Sequence, residues 1–402
     1  MARPRPDRVR VIGPLASFAD GFCVHLVERG YSLGSAQFHL QLLAHLSRWM
    51  QAEGVDVAGL AAGTTERFLA ERRRQGYASR ISPRGLRPLL GYLDGLGVLR
   101  AAEDVAPTAV DRLLEEFCGY LLEERGLVAG SVRLYARVAR RFLEERSEPL
   151  ADDLARLSGQ EINAFVLRES RRVGQRAAET VVCSLRSLLR FLHVQGWIAT
   201  PLAEAVPSVP QRREDLPRGL PPGQVTLLLD SCDRSTTVGC RDFAILMLLA
   251  RLGLRCGEVA ALELGDVDWR AGEIVIRGKR SRIDQLPLQD DVGEALADYL
   301  CRARPRGFGR TVFLRLKAPV GGLCGDAVSE VVVRACGRAG IAPVRAHRLR
   351  HTIATELLRR GAGLPEIGQV LRHQSLETTA VYAKVDRQAL SRLALPWPGG
   401  ES

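Results

Sequence analysis

"GEIVIRGKRSRIDQLPL", residues 272–288, is where the texture of this chain changes. Ile274 and Ile276 alternate with polar or charged neighbours, the chain turns through Gly278 to Ser281, and apolar residues return at Leu286 and Leu288. Alternation of period two on both sides of a short polar turn predicts a β-hairpin. Its surroundings read as helix. Upstream, "RDFAILMLLARLGLRCGEVAALEL" (241–264) is a helix interrupted near Gly253 and followed by a second, mostly apolar one, and helical spacing resumes after the hairpin. This half is therefore expected to be α+β, with the sheet as the minor part.

The first half reads as helix throughout and contains a repeat. "FCVHLVERGYSLGS" (22–35) returns as "FCGYLLEERGLVAGS" (117–131), "LAAGTTERFL" (60–69) as "LSGQEINAFV" (157–166), and "LRPLLGYLDGLGVL" (86–99) as "LRSLLRFLHVQGWI" (185–198). A supersecondary unit met twice in the same order is a helical module used twice. Within it Leu185, Leu188, Leu189 and Leu192 share one helix face, with Arg186 and Arg190 on the other side. After the second copy, "TPLAEAVPSVPQRREDLPRGLPPG" (200–223) carries six prolines and charges of both signs, the composition of an extended linker. The expected organisation is a helical module over 1–100, a second over 109–200, a Pro-rich linker at 201–223 and a mixed domain over 224–402.

Formal net charge is +11, which favours a polyanionic partner, nucleic acid first among them. No run of eighteen apolar residues occurs, and the basic N-terminus "MARPRPDRVRVIG" has no apolar stretch behind it, so neither a membrane span nor a signal peptide is expected and the chain reads as cytoplasmic. The nine cysteines are scattered without a C-x-x-C pair, which suits reduced thiols in packed cores; no metal site is expected. Of the 57 basic side chains only Lys279, Lys317 and Lys384 are lysine. A lysine in this chain departs from its habit.

"AHRLRHTIATELL" (346–358) places His347, Arg350 and His351 at i, i+3 and i+4, so three basic groups meet on one helical face. Like charges on adjacent turns repel unless an anion sits among them. Other positions suited to an anion are Arg255 in "GLRCGEVAAL", Lys279 at the hairpin turn, and His373 with Tyr382 in "LRHQSLETTAVYAKV". Cleaving a phosphodiester without a metal needs a nucleophile, cationic donors for the non-bridging oxygens, and an acid for the departing alkoxide. Arg255 and Arg350 offer planar, permanently charged forks matched to phosphate oxygens. Lys279 can surrender a proton, which a guanidinium essentially cannot. Tyr382, with an ordinary phenol pKa of about 10, needs a neighbour to take its proton as it attacks. Ser375 is placed to cap a helix that carries Tyr382, and Glu258 and Asp266 read as structural.

The order Arg255, Lys279, His347-x-x-Arg350, His373, Tyr382, spaced by 24, 3, 23 and 9 residues within its segments, resembles the site of the tyrosine recombinases, the phage-integrase family. The resemblance covers 224 to about 390 well and extends less specifically to 109–200, which is similar to that family's helical core-binding domain. It implies a mainly α fold with a small β-sheet: helical, SAM-like core-binding modules followed by an α+β catalytic domain. It implies that His347 is the base, that His373 hydrogen-bonds the phosphate, and that His351 supports the site. The activity implied is that of a site-specific DNA recombinase or integrase of a mobile element, with DNA integration or transposition as its outcome and Tyr382 as nucleophile. No cofactor is expected. Double-stranded DNA, a tetrameric synapse of this chain, and other recombinases or accessory DNA-bending proteins are the partners implied. A doubled first module departs from the minimal family plan and reads as an arm contacting DNA or another protomer, or as a degenerate duplicate of the core-binding module. "GKRSRIDQLPL" lacks the glycine and second lysine common after the family's GK. A type IB topoisomerase and a catalytically silent DNA-binding relic are the competing readings.

Overall fold

The computed structural model describes residue 6 and residues 9–60, 62–99, 107–208, 219–278, 282–372 and 379. They form two compact units, one from the described parts of Met1–Arg100 and Glu214–Ser402, the other from those of Ala101–Arg213. The architecture is mainly helical with one small antiparallel sheet. No helix among the described residues is long and apolar enough to cross a membrane.

The first hundred residues build α1 (Ala19–Glu28), α2 (Leu33–Ala52), α3 (Ala62–Arg74) and α4 (Pro83–Gly95) around a core of Phe22, Leu26, Leu43, Leu46, Phe68 and Leu93. The second unit comprises α5 (Ala109–Glu123), α6 (Ala129–Leu143), α7 (Leu150–Ala155), α8 (Gly159–Arg172) and α9 (Gln175–Val194). The sequence repeat is visible in element order. Residues 22–35 run from α1 into α2 as 117–131 run from α5 into α6, 60–69 lead into α3 as 157–166 lead into α8, and 86–99 cover the end of α4 as 185–198 cover that of α9. The second set has a shorter second helix and adds α7.

Reciprocal caps start α5 (Thr108 with Asp111) and α8 (Ser158 with Glu161), each satisfying two N–H groups that a helix start leaves unpaired. Leu185, Leu188, Leu189 and Leu192 are fully buried against Phe117, Phe142 and Phe165, while Arg190 is exposed and Arg186 donates to the Val206 carbonyl at 2.9 Å.

In the C-terminal part, α10 (Gln224–Asp230) precedes α11 (Thr237–Arg251), which is capped by Thr236 and buried along most of its length. Gly239 is required there, because an added Cβ would lie 2.0 Å from the Asp233 carbonyl oxygen. The helix ends at Gly253, whose φ of +60° reverses the chain into α12 (Cys256–Ala261). Strands β1 (Val267–Asp268), β2 (Glu273–Arg277) and β3 (Ile283–Pro287) then form an antiparallel sheet in the order β1-β2-β3, with Ile274 opposite both Val267 and Leu286. Ile274 and Ile276 face the core shared with α11, whereas Arg277 is exposed. Each such buried side chain contributes roughly 1.5–3 kcal/mol.

Beyond the hairpin come α13 (Asp290–Asp298), which runs into a π turn at Tyr299–Ala303, then α14 (Gly325–Arg338), α15 (His347–Arg359) and α16 (Leu364–Val370). The buried Tyr299 hydroxyl accepts the Leu314 N–H at 3.2 Å.

The first module packs on this part of the chain. Val320 N donates to the Arg29 carbonyl at 2.8 Å, and Gly30, at φ +80°, lies so close that a Cβ would meet Val320 Cγ2 at 2.5 Å and Phe308 at 3.3 Å. Gly30→Ala therefore combines left-handed strain with a steric clash, each worth about 1 kcal/mol or more. A lower chemical-denaturation midpoint, with faster proteolytic cutting at 305–322, is the expected outcome; an unchanged midpoint would contradict this contact.

Candidate active site

Arg255 stands at the N-cap of α12, and the carboxylate of Glu258 one turn later meets it twice. Arg255 N donates to Glu258 Oε2 at 2.8 Å, and Arg255 Nη1 donates to Glu258 Oε1 at 2.7 Å. Glu258 is buried, and a second guanidinium, that of Arg372, donates to its Oε2 at 2.8 Å. Burial pushes the Glu258 carboxyl up. The Arg255 N–H and the charges of Arg372 and Arg255 outweigh it and hold the pKa below the ordinary glutamate range. The carboxylate is therefore ionised and spends its negative charge on two cations.

Arg350 is 1% exposed. Helix α15 carries it into the interior because Leu349 and Ala354 bury beside it, and its Nη1 and Nη2 donate to the carbonyls of Gly253 and Leu371. It is thus clamped between the turn that precedes Arg255 and the segment that follows α16. His347, one turn earlier, is exposed and stands edge-on to His351, with ring centroids 4.4 Å apart.

These groups share one pocket of about 490 Å³, whose wall includes Arg255, Glu258, His347 and Arg350 together with Arg277 and Gly278. Arg277 at the end of β2 donates to the buried Asp266. Gly278 precedes Lys279 in the chain, so the turn end of β2 reaches the pocket. The structure accordingly brings Arg255, His347 and Arg350 together. Lys279, His373 and Tyr382, with the cap expected of Ser375, lie outside the described residues.

Glu258 and Asp266, expected from the sequence to be structural, each hold an arginine that lines the pocket. Sequence reading missed Arg372. The i, i+3 spacing of Arg255 and Glu258 was a legible signal for a reciprocal cap, but nothing local marked Arg372 as Glu258's second partner.

Residues 218–389 match the Phage integrase family. The chain is 40% identical over 393 residues to the putative integrase/recombinase y4rA of Sinorhizobium fredii, covering 96% of this chain and 95% of that protein. It is 33% identical over 304 residues to tyrosine recombinase XerD of Mycobacterium tuberculosis, covering 71% of this chain and 96% of XerD. Among solved structures, XerH site-specific recombinase bound to palindromic difH substrate aligns with a TM-score of 0.55 at 19% identity, over 82% of this chain and 93% of that one. A lambda integrase dimer bound to a COC′ core site aligns at 0.53 and 17%, over 72% and 98%. The protein belongs to the phage integrase family, and it is a tyrosine-type site-specific recombinase.

His351 illustrates the electrostatics of the site. Burial, reinforced by His347, Arg348 and Arg350, lowers its pKa from 6.5 to about 4. It is neutral at pH 7 and adds no like charge to the arginines. Because the folded pKa lies below the unfolded one, the unfolded chain takes up this proton first as pH falls, and stability declines between about pH 6.5 and 4. Replacing His351 with Asn removes that contribution, so the stability difference between the two proteins, followed by denaturant unfolding, is expected to shift in favour of the variant at pH 5 relative to pH 7.5.

Proposed function

We propose that this recombinase cuts and rejoins double-stranded DNA at a specific site through a 3′-phosphotyrosine on Tyr382, using neither metal nor ATP. The observation that carries the reading is the convergence of Arg255, His347 and Arg350, distant in sequence, on one pocket. Two guanidinium groups there match the two non-bridging oxygens of a phosphodiester, whose charge grows as it becomes pentacoordinate. Tyr382 Oη attacks phosphorus and its proton passes to His347. The bond to the 5′ oxygen breaks, and that oxygen takes a proton from Lys279. His373 hydrogen-bonds the phosphate. One phosphodiester replaces another, so the bond energy is kept, and the 5′-hydroxyl of a partner strand reverses the step. Strand exchange between two sites calls for several protomers, and a tetramer on two DNA sites is the working unit proposed, acting in the cytoplasm.

The y4rA relationship over nearly the whole chain supports the integrase of a mobile element as the biological setting, with integration or transposition as its task. Net charge of +11 suits duplex DNA. Affinity should fall steeply with salt, the logarithm of the binding constant dropping by about 0.9 per phosphate neutralised for each tenfold rise in salt.

A DNA substrate nicked near the crossover, which traps the intermediate by losing the leaving strand, tests the reading. Wild-type protein in EDTA is expected to give a covalent protein–DNA band, and Tyr382→Phe none. Absence of the band with wild type, despite specific binding to the same DNA, would overturn the reading. Lys279→Arg keeps the charge and removes the transferable proton, so cleavage is expected to slow by about 10²–10⁴. A 5′-bridging sulfur at the scissile position, a leaving group that needs no acid, should restore most of that rate.

A further inference from the structure

We propose that Arg372 is a positioning residue that keeps the Arg255 clamp cationic, by supplying Glu258 with a second counter-ion. The inference rests on the reading of Arg255 as a phosphate-binding group. Had Glu258 only Arg255 to pair with, the two would form a neutral unit, and an incoming phosphate would meet a cation largely cancelled by the carboxylate hydrogen-bonded to it. Arg372 changes the count. Its Nη2 lies 2.8 Å from Glu258 Oε2, so two guanidinium groups share one carboxylate and the cluster keeps one positive charge beside Arg350. The other carboxylate near Arg372, Asp284 on β3, stands 3.9 Å from its Nε and is bound by Arg282 at 2.8 Å.

The placement is costly, which argues for a task. Arg372 is 4% exposed and adopts φ +55°, a left-handed conformation that disfavours a side chain of this size. Among the described residues its Nε and Nη1 have no hydrogen-bond partner. A solvated surface arginine needs none of this. The peptide that leads to it also touches two of the pocket arginines: Leu371 O accepts from Arg350, and Arg372 O from Arg255 Nη2 at 3.5 Å. The residue that follows in the sequence is His373, which is proposed to hydrogen-bond the phosphate.

The test compares wild type, Arg372→Leu, Arg372→Lys, Glu258→Gln and the Glu258→Gln/Arg372→Leu double variant. Three quantities are read: the rate of covalent adduct formation on nicked DNA at saturating protein, the Kd for the uncleaved site, and inorganic phosphate binding followed by arginine Nε NMR shifts. R372L is expected to slow adduct formation by roughly 10–100-fold with the site Kd within about threefold, and R372K to recover much of the rate. The double variant, which returns the pocket to its original charge, should be faster than R372L and bind phosphate about as well as wild type, with E258Q binding it more tightly than either. If R372L does not fold, the comparison of E258Q with the double variant decides the matter. Equal phosphate binding by those two, or wild-type cleavage by a folded R372L, would overturn the proposal. Wild-type protein that makes no adduct while the phosphate order holds would instead remove the phosphotyrosine reading and leave the role of Arg372 standing.

Discussion

The carboxylate of Glu258, buried and shared by Arg255 and Arg372, is the contact around which the pocket is arranged. A carboxylate buried with one partner gains little, because desolvation of both charges offsets their attraction; one that accepts from two guanidinium groups and a backbone N–H has most of its acceptor sites occupied. The arrangement needs three pieces of chain in register. Gly253 must reverse α11 into α12 so that Arg255 and Glu258 fall one turn apart. Helix α15 must deliver Arg350 against the Gly253 carbonyl. The segment after α16 must return with Leu371 and Arg372 to meet both. Each piece is held by the core shared by α11, the sheet, α14 and α15, or by the smaller cluster of Ala354, Ile367 and Leu371.

Asp266 repeats the device at the sheet. It is buried, accepts Glu263 N at 2.8 Å and takes Arg277 from the end of β2. Two pocket arginines thus lean on buried acids while Arg350 leans on carbonyls. These are different solutions to one problem: a guanidinium held in place needs acceptors, and each acceptor either leaves or removes its charge. The carbonyls of Gly253 and Leu371 bring no formal negative charge to Arg350. A carboxylate partner quenches Arg255 unless a further cation shares the acid, and Arg372 does so.

The described geometry also gives the first helical module a place that its sequence did not suggest. The module, expected as an arm contacting DNA or another protomer or as a degenerate duplicate, rests through Arg29 and Gly30 on Val320 and Phe308 of the same chain. The repeat itself was legible, since apolar spacing recurs with it. Where the copy docks was not, because a glycine at a close approach looks in sequence like any turn glycine.

What the sequence determined by itself was whatever depends on neighbours along the chain. The period of two in 272–288 produced the hairpin, and Ile274 and Ile276 are buried as the alternation requires. The break at Gly253 and the i, i+3 placement of His347 and Arg350 on one helix were equally local. Tertiary structure decided the rest. It determined that Arg350 is buried and clamped by carbonyls, that His351 is neutral, and that Arg372 rather than solvent completes the coordination of Glu258. Those properties depend on desolvation and on the sum of charges within a few ångströms, and both are set by which distant segments pack together, a quantity that no local spacing encodes.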